Sequence, residues 1–125
     1  DFDTMQKVKV NDFCEFPMRL DMNPYTKAAL DAGAGEPGDV ESEYTLCGIV
    51  LHSGTADSGH YSSLVKVAKD AESSQWYEFN DTVVSPVNEE DIPQEAFGGG
   101  RDDADRVLPA RSKNAYILFY EKATL

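Results

Sequence analysis

The chain has 125 residues, with 11 Lys plus Arg against 23 Asp plus Glu, a net charge of −12. That length fits one globular domain, and the acidity argues against nucleic acid or an anionic membrane surface, both of which want a basic face, and in favour of a basic protein partner. A hydrophobic fraction of 41% with 10% aromatics supports a packed core. The start, Asp1-Phe2-Asp3, carries no signal segment and reads as a piece cut from something longer.

Met5, Val8 and Val10 alternate roughly as a strand would over Thr4–Val10, and Asn11-Asp12 marks a turn. Phe13 to Pro17 is short and aromatic. The stretch 27–43 (KAALDAGAGEPGDVESE) is rich in Gly, Ala and acids and reads as an exposed, flexible loop. Tyr44–Leu51 is apolar on both parities and predicts a central strand. Ser53–Gly59 is a small loop bounded by glycine, and His60–Ala68 is the next strand. After a polar turn, Gln75–Asn80 reads as a strand; Asp81-Thr82 is a turn, and Val83–Val87 extends the sheet. Asn88 followed by Glu89, Glu90 and Asp91 predicts an N-capped short helix to about Phe97, ended by Gly98-Gly99-Gly100. Residues 101–112 form a charged loop, and Asn114–Glu121 is the last strand. The sum is an α+β chain, mainly antiparallel β, with one side of its core uncovered.

Cys14 and Cys47 cannot build a disulfide framework, and without a CxxC pair a zinc site has no support, so neither a metal nor a cofactor is expected. Free thiols suit an intracellular compartment, cytoplasm or nucleus. Of the two histidines, His60 follows a Gly-rich loop and opens a strand. With the hairpin turn centred near residue 70 or 71, His60 falls opposite Asn80 or within a residue or two of it. An imidazole and a carboxamide, or the Asp81 carboxylate next door, then meet at one end of a sheet. That is the base-and-orienter half of a nucleophilic triad: the orienter accepts from one ring N–H, and the other nitrogen takes the proton. Register decides between Asn80 and Asp81, since a slip of one residue exchanges them. Neither cysteine precedes a helix, where a catalytic thiol gains its low pKa, so both read as small buried hydrophobes. His52, which ends the strand before the loop, reads as structural.

The runs GIVLHSGTADSGHYSSLVK (Gly48 to Lys66), WYEFNDTVVS (Trp76 to Ser85) and NAYILFYE (Asn114 to Glu121), in this order, strongly resemble the C-terminal part of ubiquitin-specific proteases. MQKVKVNDFCEFPMRLDMNPYT (Met5 to Thr26) is similar to the segment preceding that box, and Gly98-Gly99 to the family's late glycine pair. The resemblance implies the palm-like, C-terminal half of a papain-like cysteine protease fold over residues 1–125. It implies that His60 is the general base, Asn80 the third triad member and Asp81 the acidic residue that follows it. Ser58, Gly59 and Tyr61 would border the channel for ubiquitin's C-terminal tail. The partners implied are ubiquitin, ubiquitinated proteins and a missing N-terminal half bearing the nucleophile, without which this chain should not turn over substrate. Two readings from other classes stand beside it: a non-catalytic ubiquitin-binding module or pseudo-enzyme, and an unrelated acidic β-sheet interaction domain in which His60 and Asn80 lie far apart.

Overall fold

The computed structural model describes residues 1–32, 42–99 and 112–123. The chain divides into two compact units, the first made of Asp1–Phe16 and Gly48–Leu118, the second of Pro17–Cys47 and Phe119–Leu125. Among the described residues six strands carry them: β1 (Arg19–Asp21), β2 (Glu43–Gly54), β3 (Gly59–Ala68), β4 (Ser74–Asn80), β5 (Val83–Val87) and β6 (Lys113–Lys122). They pair in the order β1-β2-β3-β4-β5, with β6 also against β2.

In the first unit the meander β2-β3-β4-β5 is antiparallel throughout. Ile49 lies across from Leu64, Leu64 from Glu78 and Lys66 from Trp76. Opposite partners share a face, so Ile49, Leu51, Leu64 and Trp76, each no more than 2% exposed, form one apolar layer. The short helix α2 (Ile92–Ala96) buries Ile92 and Ala96. Lys113 Nζ lies 2.7 Å from Glu95 on α2 and 3.8 Å from Glu78 on β4, which sets α2 over that same layer. The other face leaves Tyr61, Val65, Val67, Phe79 and Val84 exposed.

The segment before the second unit does not form the expected strand. Residues 2–5 are a turn and 6–16 have no regular pairing, and Met5 has a φ of 56°. Phe16 packs edge-on against Phe97 with ring centroids 4.6 Å apart, and the Cys14 N–H donates to the Phe97 carbonyl at 2.8 Å. The segment is thus tied to the end of α2. Gly98 makes this possible. Its φ is +80°, and a Cβ there would stand 2.9 Å from the Asp12 carbonyl oxygen, so a larger residue is excluded on both counts. The helix itself is preceded by a 3-10 turn, Glu89–Asp91, and the expected Asn88 side-chain cap is not formed; Pro93 occupies the first turn, where a missing N–H costs nothing.

In the second unit β1 pairs with Glu43–Thr45. Asp21 Oδ1 accepts from the Asn23 N–H at 2.9 Å and the Ser42 hydroxyl at 2.8 Å, stitching the two chain segments beside that pairing. Within the stretch read as a loop, Lys27–Ala32 forms a helix, α1. Its KAALDA sequence is rich in alanine, the best helix former, and that local preference wins over the glycines that follow. Residues 33–41 and 101–111 of the two expected loops lie outside the described residues. Cys47 is half-buried and donates through its thiol to the Phe119 carbonyl at 3.4 Å, while Cys14 is exposed, against the expectation of burial.

Leu64, fully buried, should cost about 2–5 kcal/mol when replaced by Ala. Val67→Thr on the uncovered face should stay within about 0.5 kcal/mol. Urea denaturation of the two variants checks the assignment of faces.

Candidate active site

The β3–β4 ladder pairs Ser63 with Phe79. Continued by one step, this register sets Asn80 across from Ser62, with His60 two residues further along. The pair is therefore diagonal, two residues from directly opposite and within the offset that the sequence allowed, and with the same parity both side chains project to one face. Diagonal neighbours are still within reach of long side chains. His60 Nε2 lies 2.7 Å from Asn80 Oδ1. An amide oxygen can only accept, so Nε2 carries the proton and Nδ1 holds the free lone pair. Among the described residues Nδ1 has no hydrogen-bond partner.

Asp81 reaches the same nitrogen by another route. It opens the two-residue turn between β4 and β5 with a φ of 53°, a conformation that Asp tolerates better than most residues. Its Oδ2 comes within 3.9 Å of His60 Nε2. At that distance it acts as a neighbouring charge and not as a hydrogen-bond acceptor. The His60 side chain is 49% exposed and that of Asp81 78%, so the constellation is open to solvent in this chain.

The loop before His60 is rigidly built. Gly54 pairs with Gly59, and the Thr55 N–H donates to the Ser58 carbonyl at 2.8 Å. The Thr55 hydroxyl donates to that carbonyl at 3.0 Å and accepts from the Ser58 N–H at 3.1 Å. Gly54 has a φ of +112°, and a Cβ on it would stand 2.6 Å from the Ser58 carbonyl oxygen.

Tyr61 projects to the other face. Its ring centroid is 4.8 Å from that of His52 and 5.7 Å from that of Tyr116. These three rings, with Lys9 and Asn114, line a cleft of 430 Å³. The Lys9 ammonium donates to the His52 carbonyl at 3.0 Å and to the Ser112 carbonyl. Burial pulls its pKa below the ordinary lysine value. Of the residues singled out from sequence, His60, Asn80 and Asp81 come together; Tyr61 lines the cleft on the other face, and Ser58 and Gly59 are not among the residues that line it. Lys9 and Tyr116 were not foreseen. Lys9 sits between Val8 and Val10 in what read as a strand, where a lysine signals only a solvated face. Tyr116 is one of several aromatics in an apolar run. Neither cysteine begins a helix: among the described residues α-helices start at Lys27 and Ile92.

A bonded imidazole and carboxamide at a sheet end, with the second ring nitrogen free, is the geometry that a base-and-orienter pair requires. The match to known proteins agrees. The family model for ubiquitin carboxyl-terminal hydrolase covers residues 1–120, and the chain belongs to that family. Ubiquitin carboxyl-terminal hydrolase 34 of Mus musculus is 34% identical over 142 residues, covering 95% of this chain and 4% of the relative. Ubiquitin carboxyl-terminal hydrolase 24 of the same species is 30% identical over 153 residues, covering 99% and 6%. The chain thus spans only about one-twentieth of the length of these curated relatives. Among solved structures, Ubp8 in the Ubp8-Sgf11-Sgf73-Sus1 SAGA DUB module is 31% identical with a TM-score of 0.60, over 93% of this chain and 20% of that one. A Ubp8 variant in a SAGA DUB module bound to monoubiquitin is 30% identical with a TM-score of 0.62, over 94% and 20%. The fold is accordingly the mostly antiparallel portion of a ubiquitin-specific protease catalytic domain. No helix among the described residues is long and apolar enough to cross a membrane.

The long-range ¹H–¹⁵N spectrum of the imidazoles should show His60 as the Nε2–H tautomer. Asn80→Ala should return it toward the mixture of free histidine; an unchanged tautomer ratio would remove Asn80 as the orienter.

Proposed function

We propose that residues 1–125 are the C-terminal portion of a ubiquitin-specific protease catalytic domain, and that the complete enzyme cleaves the peptide or isopeptide bond after the terminal glycine of ubiquitin. The observation that carries this reading is the 2.7 Å contact between His60 Nε2 and Asn80 Oδ1, set within motifs that match the family in order. His60 is the general base. Its Nδ1 takes the proton of a cysteine thiol supplied by the N-terminal half of the domain. The thiolate attacks the glycine carbonyl carbon, and the imidazolium then gives its proton to the leaving amine. Water, deprotonated by the same nitrogen, attacks the thioester and releases ubiquitin. Asn80 holds the ring in the required tautomer, and Asp81 supports the imidazolium electrostatically.

Ser58, Gly59 and Tyr61 border the channel for ubiquitin's tail; the cleft in which Tyr61 stands supports this for Tyr61, and Ser58 and Gly59 are placed by the family resemblance. The partners are ubiquitin and its conjugates together with the N-terminal half. The uncovered apolar face of β3, β4 and β5 supports a larger domain, since a free-standing domain rarely leaves so much contiguous apolar surface in water. The compartment is intracellular, cytoplasm or nucleus, a reading supported by the free thiols.

That neither Cys14 nor Cys47 begins a helix favours one second reading, a ubiquitin-binding module whose parent lacks the nucleophile. A cysteine at a helix N-terminus elsewhere in the complete protein, labelled by a thiol-reactive ubiquitin probe, separates the two. The 125-residue chain by itself should not be labelled; robust labelling at Cys14 or Cys47 would overturn the assignment of the nucleophile to another segment.

In the complete enzyme His60→Ala should lower kcat by about 10³-fold or more. Asn80→Ala should cost less, with Asp81 left to support the ring, and the double variant N80A/D81A should approach His60→Ala. Hydrolysis of a fluorogenic ubiquitin C-terminal amide reads all three.

A further inference from the structure

The cleft wall holds a histidine to which the proposed chemistry gives no task. His52 lies directly across from Tyr61 in the β2–β3 ladder, and Ser53 lies across from His60. Its imidazole does not point away from the hairpin. A Cβ built on Gly59 would collide with His52 Nε2 and stand 2.7 Å from Cε1. The ring edge therefore occupies the volume that any side chain at position 59 would need, and it rests on the backbone of the residue immediately before His60. Three further contacts hold the ring and its backbone in place: the Tyr61 ring at 4.8 Å, Tyr61 in turn against Tyr116 at 5.7 Å, and the Lys9 ammonium on the His52 carbonyl at 3.0 Å.

We infer that His52 is a positioning residue: its ring packs against Gly59 and fixes the backbone from which the His60 imidazole is presented. The inference rests on the reading of His60 as the general base and adds to it a residue that acts through the Gly59 backbone and not on the reacting atoms. The physical reason is that Gly59 has no side chain of its own by which its backbone could be anchored. Gly59 is free to take backbone conformations closed to other residues, and it starts a strand whose side chains at that end are half in solvent. A flat ring pressed against its Cα removes that freedom without demanding a Cβ contact. Displacing a catalytic group by about 1 Å costs on the order of 10²-fold in rate, so a wedge of this kind should be visible in turnover.

The test is made in the complete enzyme with a fluorogenic ubiquitin C-terminal amide. His52→Ala should lower kcat about 10-fold to 100-fold while KM changes by less than a factor of about two and the thermal midpoint of the domain stays close to that of the parent. His52→Phe restores a ring of similar thickness and should recover most of the lost kcat; it also keeps the inference testable if the alanine variant is poorly folded, because failure of Phe to recover kcat in a folded protein overturns packing as the mechanism. Unchanged kcat in His52→Ala overturns the inference. So does a rise in KM at constant kcat, which would make His52 a substrate contact. His60→Ala run in parallel separates the two levels: if it retains activity, the base assignment falls, whereas if it is inactive and His52→Ala is not impaired, only the positioning role falls.

Discussion

Ser63 sits across from Phe79 in the β3–β4 ladder, and the direction of each residue at the site descends from that pairing. With the partner numbers summing to 142, every even-numbered residue of β3 shares a face with every even-numbered residue of β4. Leu64 and Trp76 then fall into the core, and His60 and Asn80 fall on the same side at the strand ends. A shift of β4 by one residue would bring Tyr77 in place of Trp76 to the face of Leu64 and send Asn80 away from His60. The burial of Leu64, Ile49 and Trp76 against α2 is worth several kcal/mol by ordinary area reckoning, roughly 2 kcal/mol for each large side chain. The core therefore enforces the register, and the register aims the imidazole and the carboxamide at each other.

The glycines do a complementary job where strands end. Gly54 and Gly98 sit at positive φ beside carbonyl oxygens that leave no room for a Cβ. The first closes the loop in front of His60; the second lets residues 11–16 lie along the end of α2. Asp81 is the non-glycine counterpart, with its φ of 53°. By leaving the strand there it escapes the alternation that would turn it to the far face, and so an odd-numbered neighbour of Asn80 still reaches the same ring nitrogen. Of the two residues that the sequence offered, Asn80 stands at hydrogen-bonding distance and Asp81 at charge–charge distance from His60 Nε2.

Much of this was legible in the residues because strand alternation and turn chemistry are local. The hairpin centred near residue 70 located His60 and Asn80 to within two positions, and the apolar run at 44–51 marked the central strand. What misled was also local. Thr4–Val10 has the alternation of a strand, but Met5, Val8 and Val10 are exposed, and the segment is tied down through Lys9 on the His52 and Ser112 carbonyls rather than by a ladder. Lys27–Ala32 was submerged in a glycine-rich window although its own six residues favour a helix. The identity of the buried β3 residue could not be read from hydrophobicity, because Tyr61, Val65 and Val67 outnumber Leu64; only the position of α2 decides which parity is covered.

A hydrogen bond between half-exposed groups contributes little, about 0.5–1.5 kcal/mol net, because water competes for both partners. The 2.7 Å contact of His60 with Asn80 therefore does not by its own strength hold the imidazole in an open site. The ladder must bring the two groups together first, at the cost already met by core packing, and the hydrogen bond then selects the tautomer. Covering the site would change the balance: excluding water strengthens the same bond and the Asp81 charge alike. Were a thiol-bearing half to cover it, the proposed base, correctly aimed but solvated in this chain, would be held more strongly, and activation of the histidine would be coupled to assembly of the complete domain.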